Sequence, residues 1–313
     1  MASNQTTIDT AYKTMKDTPR EDYLQPGSPL CAGCGGEIAV RLALKALGPK
    51  TIVVSVPGCF GLLALYPYSS IENSMLFAPF ASGPAAAQGI VDGIRIQVEK
   101  RAMVDPGSKV LVLTGDGAAY DIGLQATSGA IHRGLDFYYL CYDNEAYGNT
   151  GFQFSSATPT GSSTSTTPVT DSSQGNSLRK KNLFEIWKAH NPSYLATVAV
   201  SKPVDMLRKF EKASKMSGSK LFIVFSVCPT GWGSEPRETV EIDRLAVETG
   251  IWPLKESVNG RITHTYIPRK RPPVETYLKT QRRFEHLFGA YGSEHTLQEI
   301  QRDVDEYWRS VSI

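Results

Sequence analysis

The chain has 313 residues, of which 41% are hydrophobic and 20% charged, with a formal net charge of +2. That is apolar material for one large domain or two, and too little net charge for a broad attraction to nucleic acid or a membrane surface. No apolar run is long enough to cross a bilayer. The N-terminal stretch MASNQTTIDTAYKTMKDTPRED is polar and lacks the apolar middle of a signal peptide. A cytoplasmic protein is expected, and there the cysteines point to metal or redox use rather than to disulfides.

Residues 1–27, broken by Pro19, Pro26 and Gly27, read as an irregular arm. CAGCGGE leads into an amphipathic helix carrying Ile38, Leu42, Leu44 and Leu47, which Gly48 and Pro49 stop. Residues 51–56 read as a buried strand ending in PGCFG, 75–80 as another short strand, and SGPAAAQGIVDGIRIQVE as a helix packed closely on the sheet. Residues 110–114 are a β-branched and leucine run, the mark of a fully buried strand. Gly115, Asp116 and Gly117 follow, then a helical pattern over 120–132 and a second apolar strand over 137–142. Strand, turn, helix, strand is a parallel βαβ unit.

Residues 153–177 are rich in Ser, Thr and Gly. Composition alone reads as a linker, but long loops inside a domain are usually functional, and regular chain on either side favours an active-site loop. A helix over 183–190, a strand over 194–200, a helix over 203–216 and a strand over 220–227 continue the alternation, which ends in CPTGWG. Beyond residue 234, helical runs at 237–249, 273–279, 282–288 and 294–311 surround an extended stretch, 251–268. The expected architecture is an α/β domain over 28–233 built on a doubly wound, mostly parallel sheet. The arm 1–27 precedes it, and a helical and extended tail, 234–313, packs on it or on a partner.

Open α/β sheets bind ligands beyond the carboxyl ends of their strands. Asp116 closes the first strand of the βαβ unit, and Asp143 and Asn144 close the second. Oxygen-bearing side chains beside bare glycine backbone suit a magnesium ion that carries a diphosphate. Gly115 and Gly117 would admit the phosphates, and the following helix would offer them its first N–H groups. GDG followed by the Asn of NEAYGNTG resembles the thiamine diphosphate signature. That resemblance implies Mg²⁺ held by the side chains of Asp116 and Asn144 and the carbonyl of Ala146.

Cys31, Cys34, Cys59 and Cys228 sit in glycine- or proline-flanked breaks, the last two just after strands, so they share one edge of the sheet. Cys141 lies inside the strand YYLCYD and reads as a small buried hydrophobe. A CxxC with two remote cysteines fits either a four-cysteine zinc site or a 4Fe–4S cluster, and spacing does not separate them. A diphosphate cofactor beside four thiolates points to electron transfer, which zinc cannot perform. His132 reads as a cation at a helix C-terminus; the other histidines have no motif context.

CAGCGGE, PGC, GDGAAYDIG, YDNEAYGNTGFQ and CPTGWG, in this order, resemble the β subunit of the 2-oxoacid:ferredoxin oxidoreductases, of the pyruvate:ferredoxin oxidoreductase type. The resemblance runs from about Leu30 to Trp232 and continues more weakly into LAVETGIWPL and RKRPPVETYLK. It implies a sheet of the thiamine diphosphate-binding (PP-domain) type and a 4Fe–4S cluster on Cys31, Cys34, Cys59 and Cys228. Cys34 and Cys59 would stand near the cofactor with Gly115, Asp116, Gly117, Asn144 and Ala146, and Asn149 would face the substrate. Many members place an acidic residue directly after CxGCG, whereas here Gly36 occupies that place and Glu37 follows.

The implied reaction is oxidative decarboxylation of a small 2-oxo acid, with electrons leaving through the cluster to ferredoxin. NTGFQ resembles the pyruvate-type branch, which also holds oxalate oxidoreductase. A thiamine decarboxylase or synthase with zinc on the cysteines is the non-redox alternative. The carboxylate that activates thiamine comes, by the same resemblance, from a second, pyrimidine-binding domain, for which this chain has no room. Partner subunits of α and γ type and a ferredoxin-like δ type are therefore expected, carrying the activating Glu, further clusters and any coenzyme A site, and the chain alone should be inactive.

Overall fold

The computed structural model describes residues 10–65, 67–288 and 294–311; residues 1–9 of the expected arm lie outside them. Eight strands form one sheet: β1 (Thr51–Ser55), β2 (Met75–Phe77), β3 (Lys109–Gly115), β4 (Phe137–Asp143), β5 (Tyr194–Ala199), β6 (Ser219–Phe225), β7 (Leu254–Val258) and β8 (Arg261–Tyr266). Their spatial order is β2-β1-β3-β4-β6-β5-β7-β8. The first six pair in parallel, and β7 and β8 add an antiparallel hairpin at the β5 edge.

Helices cover both faces, as parallel strands require, because each βαβ crossover must lie on one face or the other. The longer helices are α1 (Gly35–Leu47), α2 (Gly83–Glu99), α3 (Leu124–His132), α4 (Leu183–Lys188), α5 (Pro203–Ser214), α6 (Thr239–Thr249) and α7 (Glu294–Ser310). Strand alternation divides the core in two. Leu111, Leu113, Tyr138 and Leu140 pack with Val40 and Leu44 of α1 and Phe210 of α5. Val110, Val112, Phe137, Tyr139 and Cys141 point the other way, among Ala87 of α2, Ile131 of α3 and Trp187 of α4. Cys141 is thus a core residue. Each strand of the βαβ unit reads as a continuous apolar run because both of its faces are covered.

Three features go beyond the sequence reading and have physical causes. The helix expected over 120–132 is divided: Gly117–Ile122 forms a π-helical turn and the α-helix begins only at Leu124. The Gly123 N–H reaches back five residues to the Ala118 carbonyl at 2.8 Å, and such wide turns gather at functional sites. The Ser/Thr-rich stretch is ordered, with Ser155, Thr158, Ser162, Thr164 and Asn176 all buried and Asn176 Nδ2 donating to the carbonyls of Thr158 and Leu178 at 2.9 and 2.8 Å. The segment from residue 234 onward supplies β7 and β8 to the common sheet, while Ile242, Trp252, Tyr277, Phe284 and Trp308 enter the common core.

Candidate active site

Four neighbouring parallel strands, β1, β3, β4 and β6, deliver Cys59, Asp116, Asn144 and Cys228 just beyond their carboxyl ends. Cys31 and Cys34 reach the same edge from the N-terminus of α1, where the Gly35 N–H is tied to the Val227 carbonyl at 3.0 Å. The fold therefore brings every residue named from the motifs to one rim.

Two cavities open there. The first, of about 250 Å³, is lined by Gly58, Cys59, Gly115, Asp116, Gly117, Asn144, Ala146 and Asn149, with Phe80 and Tyr147 among its walls. Its glycines are required by contact: a Cβ at Gly117 would enter the Tyr147 ring, and one at Gly58, whose φ is +147°, would stand 2.5 Å from the Tyr142 hydroxyl. The second cavity, of about 420 Å³, is lined by all four cysteines, Cys31, Cys34, Cys59 and Cys228, with Phe60, Phe152 and Thr230. Cys59, Tyr142, Asn144, Gly148 and Asn149 line both.

In the first cavity Asp116 is buried and accepts a hydrogen bond from Ser155 Oγ, contributed by the Ser/Thr-rich loop. One terminal atom of the Asn144 amide stands 2.6 Å from the Ala146 carbonyl oxygen and 2.8 Å from Asp116 Oδ1. Without a cation it must be the nitrogen, donating to both; with a cation among them it would be the oxygen, completing three oxygen ligands. Burial pushes the Asp116 carboxyl well above its ordinary value, and the Asp143 carboxylate adds to the effect. The nearby ammonium of Lys180 is committed elsewhere, 2.8 Å from both Asp143 and Glu145. A buried carboxylate short of positive charge, beside two more oxygens, is a donor set that suits a hard divalent cation.

The thiols are arranged differently. Burial first, then the neighbouring thiols, pushes Cys59 up to about 12. Burial raises Cys34 to about 11, against the N–H groups of Glu37 and Gly36 at the start of α1, which favour its thiolate. Burial likewise raises Cys228, opposed by the Gly231 N–H and the Arg283 guanidinium. Among the described residues no group of three or more His, Cys, Asp or Glu side chains is placed to hold a metal ion. Four zinc-bound sulfurs would lie roughly 3.8 Å apart, given Zn–S bonds of about 2.3 Å. Four thiols around one cavity are a donor set of the kind that iron–sulfur clusters and zinc ions both use.

Sequence reasoning missed several neighbours of these residues. Tyr142, packed against Phe60 with centroids 4.4 Å apart and ring planes tilted by 55°, lines both cavities. The buried Glu145 and Arg283 and the half-buried Lys180 form an ion network behind Asn144, of which only Glu145, inside NEAYG, lay in a motif. Thr150, beside Asn149, bonds locally to the Tyr147 carbonyl and to Gln153. His132 ends α3, and His190 bonds to Ser128 and to the Ile186 carbonyl, away from the site.

The family model for the thiamine pyrophosphate enzyme C-terminal TPP-binding domain matches residues 57–224. Pyruvate synthase subunit PorB of Methanocaldococcus jannaschii is 43% identical over 290 residues, covering 92% of this chain and 96% of that protein. Ketoisovalerate oxidoreductase subunit VorB of Pyrococcus horikoshii is 38% identical over 297 residues, covering 94% and 93%. The solved 2-oxoglutarate:ferredoxin oxidoreductase from Magnetococcus marinus shares the fold, with a TM-score of 0.55 at 22% identity over 75% of this chain and 83% of that one. The rim of strand ends, the matched thiamine domain and relatives that align nearly end to end agree: this chain belongs to the 2-oxoacid:ferredoxin oxidoreductase family, as a thiamine diphosphate-dependent β subunit.

Proposed function

We propose that this subunit holds Mg²⁺ on Asp116, Asn144 and the Ala146 carbonyl, and a 4Fe–4S cluster on Cys31, Cys34, Cys59 and Cys228. With them it serves the oxidative decarboxylation of a pyruvate-type 2-oxo acid, with ferredoxin as acceptor. The observation that carries this reading is the shared wall: Cys59 and Asn144, from the two proposed ligand sets, line both cavities. Pyruvate is favoured by the NTGFQ sequence and by the similarity to pyruvate synthase subunits.

Thiamine diphosphate supplies an electron sink for loss of CO₂, and an iron–sulfur cluster supplies a one-electron acceptor. The chain's own part is placement. Asp116 and Asn144 fix a cation at the ends of adjacent strands, and the bare backbone at Gly115 and Gly117 lets phosphate oxygens approach. Asn149, on the common wall, offers an amide N–H to a substrate carboxylate or a developing oxyanion. Phe80 and Tyr147, centroids 6.1 Å apart, give the first cavity an apolar side that keeps water from the reacting carbon.

Asp116 is the only carboxylate lining that cavity among the described residues, and it is engaged as a proposed metal ligand. The acid that activates the aminopyrimidine is therefore assigned to a partner subunit. Leu65, Tyr68, Leu76 and Phe77 are exposed on the hairpin and edge strand beside the Cys59 loop, an apolar face suited to burial in a heteromeric complex.

The test is anaerobic purification of the native complex, assay of its thiamine, magnesium and iron, and a screen for reduction of a low-potential dye. The screen includes pyruvate, branched 2-oxo acids, 2-oxoglutarate and oxalate, each with and without coenzyme A. Coenzyme A-dependent reduction with pyruvate is expected. A colourless complex holding stoichiometric zinc would overturn the redox reading.

A further inference from the structure

Glu145 sits between two proposed metal ligands, Asn144 and Ala146, with its backbone in the left-handed region at φ +64°. A non-glycine residue stays there only when its surroundings hold it. Here they do so completely. The Glu145 carboxylate receives Lys180 Nζ at 2.8 Å and Arg283 Nη2 at 2.6 Å. Its carbonyl accepts from Thr158 Oγ1 at 2.7 Å, and its N–H donates to Asp143 Oδ1 at 3.2 Å.

Arg283 does more than close this clamp. Its guanidinium lies 3.8 Å from the centroid of the Trp232 ring. The indole N–H of Trp232 donates to the Asn144 carbonyl at 3.0 Å, and the backbone N–H of the same residue donates to the Cys228 carbonyl at 2.8 Å. Arg283 itself is buried and braced by Gln281 Oε1 at 2.8 Å. One side chain from the far end of the chain therefore presses on the loop that presents Asn144 and Ala146 and, through Trp232, on the turn that presents Cys228.

We propose that Arg283 is a positioning residue common to both centres, holding the cation-binding loop through Glu145 and the Cys228 turn through Trp232, so that the spacing of the two cavities is set by one guanidinium. The proposal rests on the ligand sets assigned above. Lys180 grips only the loop side and so serves as the internal comparison.

The experiment uses the whole complex, purified anaerobically, with Arg283→Met, Arg283→Lys or Lys180→Met in this subunit. Three quantities are read on assembled complex: the magnesium concentration needed to retain thiamine diphosphate, the electron paramagnetic resonance spectrum of the reduced clusters, and their midpoint potentials. Arg283→Met is expected to raise the magnesium requirement at least tenfold and to alter the spectrum and potential of one cluster. Lys180→Met should raise the magnesium requirement and leave every cluster signal in place. Arg283→Lys keeps the charge but loses the planar fork and stack; it should show both changes in weaker form, and it carries the test if the methionine variant fails to assemble.

Wild-type signals in both Arg283 variants would overturn the proposal, as would a change at one centre alone. A merely structural role would lower thermal stability without moving the potential or magnesium requirement of the assembled fraction. Failure of the function proposed above shows differently, as wild-type complex lacking thiamine or iron.

Discussion

The amide of Asn144 and the carboxylate of Asp116 meet at 2.8 Å although they arise from different strands, β4 and β3. Those strands are paired in parallel, with Gly115 opposite Tyr142, so Asp116 leaves its strand level with Asp143, one residue before Asn144. Removing the carboxylate leaves one amide and one carbonyl, too little charge for a divalent cation. Asp116→Ala is expected to fold and assemble but to carry almost no thiamine diphosphate when the denatured complex is assayed. Wild-type thiamine content in that variant would show that the diphosphate is held elsewhere.

Cys59 differs from the other three cysteines in lining both cavities. Its side chain packs in the smaller core beside α1, and Cys59→Ala removes only one sulfur from that packing. The expected cost in stability is about 1 kcal/mol, so folding should survive. Iron content and visible absorbance should fall by one cluster's share per subunit. An unchanged iron count would exclude Cys59 as a ligand.

The sheet and its ligand-bearing edge were legible because parallel strands buried on both faces give unbroken apolar runs, such as residues 137–142, and because ligands gather where those runs stop. Asp116, Asn144, Cys59 and Cys228 could be named in that way; Cys31 and Cys34 came from their CxxC spacing and the family resemblance. Lys180 and Arg283 could not. Their contacts with Glu145 span 35 and 138 residues of sequence, and a lone Lys or Arg in a polar stretch carries no periodic or spacing signal. The π-helical turn after Asp116 was hidden for a related reason: a hydrogen bond five residues back leaves the same side-chain composition as an ordinary helix start. Ser155 shows composition at its weakest, since a Ser/Thr-rich loop looks the same whether it is solvated or folded over a carboxylate.

Asn149 is solvent-accessible in this chain and stands on the wall common to both cavities. It is neither a proposed metal ligand nor a cluster ligand, so Asn149→Ala should retain thiamine and iron. Loss of one polar contact to a developing oxyanion costs roughly 10²–10³ in turnover where the site excludes water. A fall of about that size in kcat/KM, with cofactor content intact, is the expected result. Unaltered kinetics would remove Asn149 from the substrate's surroundings.

Asp243 gives a test of pH dependence that is independent of the cofactors. Its carboxylate, fully buried on α6, accepts the N–H groups of Ser201 at 2.8 Å and Val200 at 3.3 Å, just beyond β5. Burial outweighs those bonds and raises its pKa from 3.8 to about 6. The folded state therefore holds a proton between about pH 4 and pH 6 that the unfolded chain has already released. By linkage, stability is lost as pH rises through that window, on the order of 2–3 kcal/mol in all, and the loss is complete above it. Asp243→Asn cannot titrate and keeps one acceptor for the Ser201 N–H. The wild-type advantage in thermal midpoint over this variant should shrink as pH rises across the window and stay constant above it. A difference that stays flat or grows with pH would mean that Asp243 is already ionised in the acidic range.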